Sequence, residues 1–108
     1  MTIRVCLAGA TGWAGSELSR AIAGQADLTL VAAVSRTHAG RNLGDVLSEP
    51  RLTAPIYATA VDALALPCDV FVEYTGPGTA RSNIVSALEH GAHAVVGTSG
   101  LTEEDFAE

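Results

Sequence analysis

The 108-residue sequence contains no lysine. All six of its positive charges are arginines, which stand against twelve aspartates and glutamates and leave a net charge of −6. The absence of lysine excludes a lysine nucleophile or a Schiff base from this segment. Because the chain is acidic and has no basic cluster, we expect no nucleic-acid partner.

Cysteines and long apolar runs are also scarce. Cys6 and Cys68 lack Cys-x-x-Cys spacing and lie in or beside apolar runs, so we expect reduced thiols and no metal site. No apolar run approaches the ~20 residues that span a membrane, and we expect no membrane partner. A predicted strand begins at residue 3, so we also expect no signal peptide and a cytoplasmic location.

The sequence does have enough apolar residues for one domain. It is 48% hydrophobic and 17% charged, a composition that can form a core. Three evenly spaced glycines, Gly9, Gly12 and Gly15, separate an apolar run at residues 3–8 from a helical pattern at residues 16–23. A glycine-rich turn between a buried strand and a helix is typical of the phosphate-binding corner of a dinucleotide-binding fold.

Each glycine of this turn has a distinct expected role. Gly9 lets the chain turn sharply off the strand, Gly12 leaves room for a pyrophosphate, and Gly15 lets the helix lie close to the strand. The first helical amides, near Trp13 and Ala14, have no intrahelical partner and can bind the anion. The alternative is a glycine-rich turn that holds no ligand.

The rest of the chain alternates between strand and helix patterns. Strands are predicted at residues 28–34, 56–58, 69–75 and 93–97, and helices at 61–66, 77–90 and from 102 onwards. Residues 37–55 are predicted to form a loop with one short turn around 45–47. The fold class is therefore α/β, a Rossmann-type doubly wound parallel sheet with expected strand order 3-2-1-4-5. We expect a cofactor across the carboxyl ends of strands 1 and 4.

The end of the second strand indicates which cofactor binds. Ser35 stands 20 residues after Gly15, with Arg36 directly behind it, where such folds place the residue that contacts the adenosine ribose. A hydroxyl and a guanidinium suit a 2′-phosphate, so NADPH is the expected cofactor and NADH the alternative. Arg36 could instead be an ordinary surface arginine at a strand end. Farther along the chain, residues 74–77 and 97–99 are expected to flank the nicotinamide half.

Three segments together resemble the N-terminal domain of 4-hydroxy-tetrahydrodipicolinate reductases, also called dihydrodipicolinate reductases. They are residues 5–15, residues 69–77 (DVFVEYTGP) and residues 95–100 (VVGTSG). The resemblance implies an NAD(P)H-dependent oxidoreductase of lysine and diaminopimelate biosynthesis. Such an enzyme transfers hydride to a small cyclic dicarboxylate substrate.

The resemblance also implies which residues contact the nicotinamide dinucleotide. They are Gly9, Ala10, Thr11, Gly12, Trp13, Ala14, Arg36, Gly97, Thr98 and Ser99. The family usually has Gly-Arg-Met-Gly where this chain has Gly-Trp-Ala-Gly at residues 12–15. The acid that often ends the second strand is Ser35 here.

The expected domain organisation follows from the same resemblance. Residues 1–108 look like a truncated dinucleotide-binding domain that lacks its last strand, and the catalytic residues would lie in a second, substrate-binding domain. We expect the full-length protein to be a homo-oligomer and this segment alone to be inactive. The glycine turn also looks like that of N-acetyl-γ-glutamyl-phosphate reductases and semialdehyde dehydrogenases. A non-catalytic NADP-binding module is a further alternative.

Overall fold

A computed structural model describes residues 2–75 and 77–97, with only the backbone for residues 77–79. Strands and helices alternate along the chain. The elements are β1 (Ile3–Ala8), α1 (Trp13–Ala23), β2 (Leu28–Val34), α2 (Leu43–Leu47), β3 (Ile56–Tyr57), α3 (Ala60–Ala63), β4 (Val70–Glu73), α4 (Pro77–Glu89) and β5 (His93–Val96). The helix predicted from residue 102 lies outside the described residues.

The five strands form one parallel sheet in the order β3-β2-β1-β4-β5. The first three strands are added in one direction from β1, and β4 and β5 are added in the other direction. The switch point of the sheet therefore lies at the ends of β1 and β4. The predicted α/β class, the Rossmann-type architecture and the strand order are therefore confirmed. The central strands are nearly continuous in apolar residues because helices cover the sheet on both faces.

Alternate residues of β1 supply the two cores of the domain. Val5 and Leu7 pack on one face with residues from α1 and α2. Cys6 and Ala8 pack on the other face with residues from α3 and α4. This division follows from the two-residue period of a strand, whose successive side chains point to opposite faces.

The two short helices differ from the sequence prediction. The turn predicted around residues 45–47 is a helix that begins at Leu43, because the Asn42 side chain accepts a hydrogen bond from the Gly44 amide. The helix predicted at residues 61–66 spans only Ala60–Ala63, and Thr59 caps its start by accepting from the Asp62 amide. Helix α1 begins at Trp13, three residues before the predicted start, since Gly12 is its N-cap.

Helix α1 lies directly against the turn that follows β1. A Cβ atom placed on Gly15 would lie 2.0 Å from the Gly9 carbonyl oxygen and 2.8 Å from its carbonyl carbon. Both atoms belong to the backbone and cannot rotate away. Only glycine allows this approach, so the predicted packing role of Gly15 is confirmed.

We predict that Gly15→Ala lowers the free energy of unfolding by about 1–3 kcal/mol, the usual effect of overpacking. Gly24→Ala is the matched control, because a Cβ at Gly24 has its nearest neighbour at 3.6 Å and the residue has φ of −85°. Urea denaturation of both variants checks the prediction. A loss in Gly15→Ala no larger than that in Gly24→Ala would contradict it.

Candidate functional site

The glycine turn leaves β1 at the switch point of the sheet. Gly9 has φ of +81°, in the left-handed region that favours glycine. Its amide donates to the Val34 carbonyl at 3.0 Å, and its carbonyl accepts from the Gly12 amide at 3.0 Å. The turn is thus tied to the end of β2 and closed on itself before the helix begins.

Helix α1 directs its first amides out of this turn. Its N-cap, Gly12, provides no side-chain hydrogen bond, and the Ser16 amide donates to the Gly12 carbonyl at 2.8 Å. The amides of Trp13 and Ala14 precede that bond and so have no intrahelical acceptor. Gly12, Trp13 and Ala14 are all exposed, and Trp13 retains 90% of its accessible surface. This arrangement suits an anion at the positive end of the helix dipole.

A hydroxyl pair joins the glycine turn to the end of β2. The Thr11 Oγ1 and Ser35 Oγ atoms lie 3.1 Å apart, within hydrogen-bond distance. Arg36 follows Ser35 and is exposed, and no residue in the described part of the chain forms an ion pair with it. The guanidinium is therefore available to a ligand that reaches the end of β2.

A cleft of about 630 Å³ opens beside these residues. Its walls come from the ends of β1, β2, β3 and β4, from the start of α3 and from one side of α4. The described lining residues are Gly9, Val34, Ser35, Arg36, Thr37, Ala58, Thr59, Ala60, Val61, Thr75, Ser82, Asn83 and Ser86. Arg36 is the one charged side chain in this set, so the cleft combines hydroxyl and amide groups with a single positive charge.

The end of β4 borders the same cleft. Glu73 is fully buried, and its Oε1 atom accepts a hydrogen bond from the Thr75 amide at 2.8 Å and another from the Thr75 hydroxyl. Tyr74 is 37% exposed, and its ring lies over Gly97, where a Cβ would come to 2.3 Å from the nearest carbon of the ring. The Gly97 amide donates to the Glu73 carbonyl at 2.8 Å, which ties the end of β5 to that of β4.

The structure brings together part of the predicted contact set. Gly9 and Arg36 line one cleft, while Gly12, Trp13 and Ala14 are exposed on the adjoining turn. Ala10 is buried in the core, so only its backbone could face a ligand. Gly97 lies against the Tyr74 ring and does not line the cleft. Thr98 and Ser99, also predicted contacts, lie outside the described residues.

Neither cysteine has the character of a nucleophile. Burial raises the pKa of the Cys6 thiol, and the nearby charges of Cys68 and Glu73 raise that pKa further. Burial and the charge of Asp69 also raise the pKa of Cys68. Both are free thiols, and a thiol with a raised pKa forms little of the reactive thiolate.

The opposite edge of the sheet carries a separate group of polar residues. Arg4 and Asp69 form a two-pronged ion pair, with nitrogen–oxygen distances of 3.1 and 3.2 Å. Hydrogen bonding to Arg4 lowers the pKa of Asp69. His93 stands at this edge, since it pairs with Val70 at the start of β4. These residues lie at the amino-terminal ends of the strands, away from the glycine turn.

The described residues contain neither a cluster of metal ligands nor a membrane-spanning helix. Within residues 2–75 and 77–97, no group of three or more histidine, cysteine, aspartate or glutamate residues could hold a metal ion. In the same part of the chain, no helix has the length and apolar character needed to cross a membrane.

Sequence reasoning missed the wall of the cleft that α3 and α4 provide. Ser82, Asn83 and Ser86 lie along one side of α4 and face the cleft. Ser82 and Asn83 lie four and three residues before Ser86, so the three side chains share one side of a helix, but no pattern in the sequence indicates that this side meets the cleft. The contact between Glu73 and Thr75 was also missed, and no pattern in the sequence indicates it.

Known proteins resemble this chain over nearly all of its length. The 4-hydroxy-tetrahydrodipicolinate reductase of Bacillus mycoides is 35% identical over 107 residues, which are 98% of this chain and 40% of the relative. A dipicolinate-bound dihydrodipicolinate reductase from Paenisporosarcina sp. superimposes with a TM-score of 0.78 and 26% identity, over 99% of this chain and 41% of the other. This chain thus spans about two fifths of the length of the curated relatives it matches.

A second solved structure shares the fold alone. The aspartate semialdehyde dehydrogenase of Candida albicans has a TM-score of 0.74 at 17% identity, over 92% of this chain and 30% of that one. The sequence profile of the family described as "Dihydrodipicolinate reductase, N-terminus" matches residues 3–108. The glycine turn, the strand order and this match over almost the entire sequence agree, and the chain therefore belongs to the dihydrodipicolinate reductase family, as a counterpart of its N-terminal domain.

Proposed function

We propose that this chain is the nicotinamide-dinucleotide-binding domain of a reductase and that the cofactor pyrophosphate binds at residues 9–14. The observation that carries the proposal is the set of free amides at the start of α1, directly after a closed glycine turn. Several amides that point at one position bind a phosphate without any lysine or arginine. The fold family supports NAD(P)H as the class of ligand.

The adenosine half of the cofactor would occupy the cleft beside Arg36. Ser35 offers a small neutral hydroxyl where an acid would repel a 2′-phosphate, and Arg36 has no competing ion-pair partner in the described part of the chain. An arginine fork matches phosphate oxygens. We therefore propose NADPH as the preferred cofactor.

The nicotinamide half would lie between the ends of β4 and β5. Gly97 supports this placement because it stands beside Tyr74 at the carboxyl end of the sheet. We propose Gly97, Thr98 and Ser99 as its contacts through backbone groups and hydroxyls. Gly9, Ala10, Thr11, Gly12, Trp13, Ala14 and Arg36 complete the proposed cofactor site.

The names of the curated relatives support a reaction for the full-length protein. They are 4-hydroxy-tetrahydrodipicolinate reductases, so we propose hydride transfer from NADPH to a cyclic dicarboxylate in lysine and diaminopimelate biosynthesis. Residues 1–108 would be the cofactor domain, and a second domain would supply the catalytic residues. We further propose a cytoplasmic homo-oligomer as the assembled form.

Gly12→Val should abolish NADPH binding, because a branched side chain would occupy the position of the pyrophosphate. Isothermal titration calorimetry on the 108-residue chain measures the affinity directly. Ala26→Val is the control, since it also introduces a valine, in an exposed turn beyond the far end of α1. Equal affinity in Gly12→Val and wild type would refute the pyrophosphate site.

Arg36→Ala should weaken NADPH binding about tenfold or more, because it removes a charge-assisted contact worth roughly 1.5–3 kcal/mol. Its affinity for NADH should stay the same. Arg41→Ala is the control: it removes an exposed arginine five residues away that does not line the cleft. A wild-type chain that binds NADH more tightly than NADPH would show that Arg36 has a different role.

The 108-residue chain alone should not oxidise NADPH in the presence of a dihydrodipicolinate-type substrate. Substrate positioning supplies about 7–11 kcal/mol of such a barrier, and a general acid must deliver the accompanying proton. At the end of β4, where the nicotinamide is proposed to lie, the described proton-donor candidates are an exposed Tyr74 and a buried, hydrogen-bonded Glu73. Loss of NADPH absorbance is the assay, with a full-length relative as the positive control. Substrate-dependent turnover by the chain would contradict the expectation.

A further inference from the structure

Glu73 places a carboxylate in the interior of the domain. It is the last residue of β4, it pairs with Ala8 of β1 and Val96 of β5, and its exposed fraction is 0%. A buried charge is unfavourable unless strong hydrogen bonds compensate it. Its neighbours on the same face of the sheet, Cys6 and Phe71, are apolar core residues. Packing alone therefore does not account for an acid at this position.

The hydrogen bonds of Glu73 lead out of the sheet and into the next turn. Its Oε1 atom accepts from both the amide and the hydroxyl of Thr75, two residues further on. Hydrogen bonds to a charged acceptor are stronger than those between neutral groups. The carboxylate thus fixes the conformation of the turn after β4.

That turn forms part of the proposed cofactor site. Thr75 lines the 630 Å³ cleft together with Gly9. A Cβ on Gly9 would lie 2.6 Å from the Tyr74 carbonyl oxygen and 3.2 Å from the Thr75 nitrogen. The backbone of the β4 turn is therefore in contact with the backbone of the glycine turn, and displacement of one would displace the other.

We propose that Glu73 is a positioning residue for the cofactor: its buried carboxylate holds Thr75, and Thr75 in turn keeps the β4 turn seated against Gly9. The inference rests on the proposed function, because its consequence is the affinity for NADPH. Glu73 acts through Thr75 and need not touch the ligand. Its contribution is a cleft that already has the right shape before the dinucleotide arrives.

Three variants test this role by calorimetry with NADPH. Glu73→Met removes the acceptor at similar volume, Thr75→Val removes the hydroxyl, and Thr75→Ser keeps it. We expect about tenfold weaker binding for the first two, the size of a lost charged hydrogen bond. Thr75→Ser should stay within about twofold of wild type. Phe71→Leu is the control for general destabilisation, because Phe71 lies on the same face of β4 and forms no side-chain hydrogen bond to Thr75. This variant should leave the affinity for NADPH unchanged.

The double variant separates positioning from direct ligand contact. If Glu73 acts through Thr75, Glu73→Met combined with Thr75→Val should bind no more weakly than Glu73→Met alone. Losses that multiply would mean that Thr75 contacts the ligand independently, and they would overturn the proposal. If Glu73→Met does not fold, Thr75→Val still tests the proposal, because an unchanged affinity for NADPH in that variant would overturn it.

Amide hydrogen exchange provides a readout that does not depend on the ligand. In Glu73→Met the Thr75 amide should exchange faster, while the Tyr74 amide, which donates to the Ala8 carbonyl at 3.0 Å, should stay protected. A wild-type chain without affinity for any dinucleotide would overturn the proposed function. Normal wild-type affinity with unchanged affinities in Glu73→Met and Thr75→Val would overturn only the role of Glu73.

Discussion

The close approach between α1 and the turn after β1 is the constraint on which the rest of this domain depends. With no side chain at Gly15, the helix rests directly on the Gly9 carbonyl. This contact fixes the direction of the helix axis, and the axis determines where the first amides point. The same turn meets the Tyr74 carbonyl on its other side. Three backbone segments therefore meet at one point, and the carboxyl ends of the central strands are arranged around that point.

The main elements could be predicted from the sequence because their signals are local and strong. Strands covered on both faces must be apolar throughout, and residues 28–34 show this plainly. The short helices α2 and α3 could not be predicted with correct ends, since a helix of one turn has no apolar period. Single side chains define their starts: Asn42 binds the Gly44 amide and Thr59 binds the Asp62 amide.

The proposed site was predictable only where spacing along the chain determines position. The glycine turn and Arg36 follow from their distances to the first strand, and the structure places Gly9 and Arg36 in one cleft. The α4 wall was not found because Asn83 is an ordinary helix residue until the sheet brings α4 beside Arg36. The proposed role of Glu73 could not be predicted for the same reason. It depends on how closely the turn after β4 approaches the glycine turn in space.

The hydroxyl pair between Thr11 and Ser35 has a consequence for how a two-part ligand would bind. It joins the glycine turn to the end of β2 across 3.1 Å, so one side-chain contact holds the two proposed subsites of the dinucleotide next to each other. Once one half of such a ligand is held, the other half meets its subsite at a high effective concentration. Each subsite can then be weak alone while the intact molecule is bound firmly. Release of such a ligand can begin at either end and proceed in two small steps.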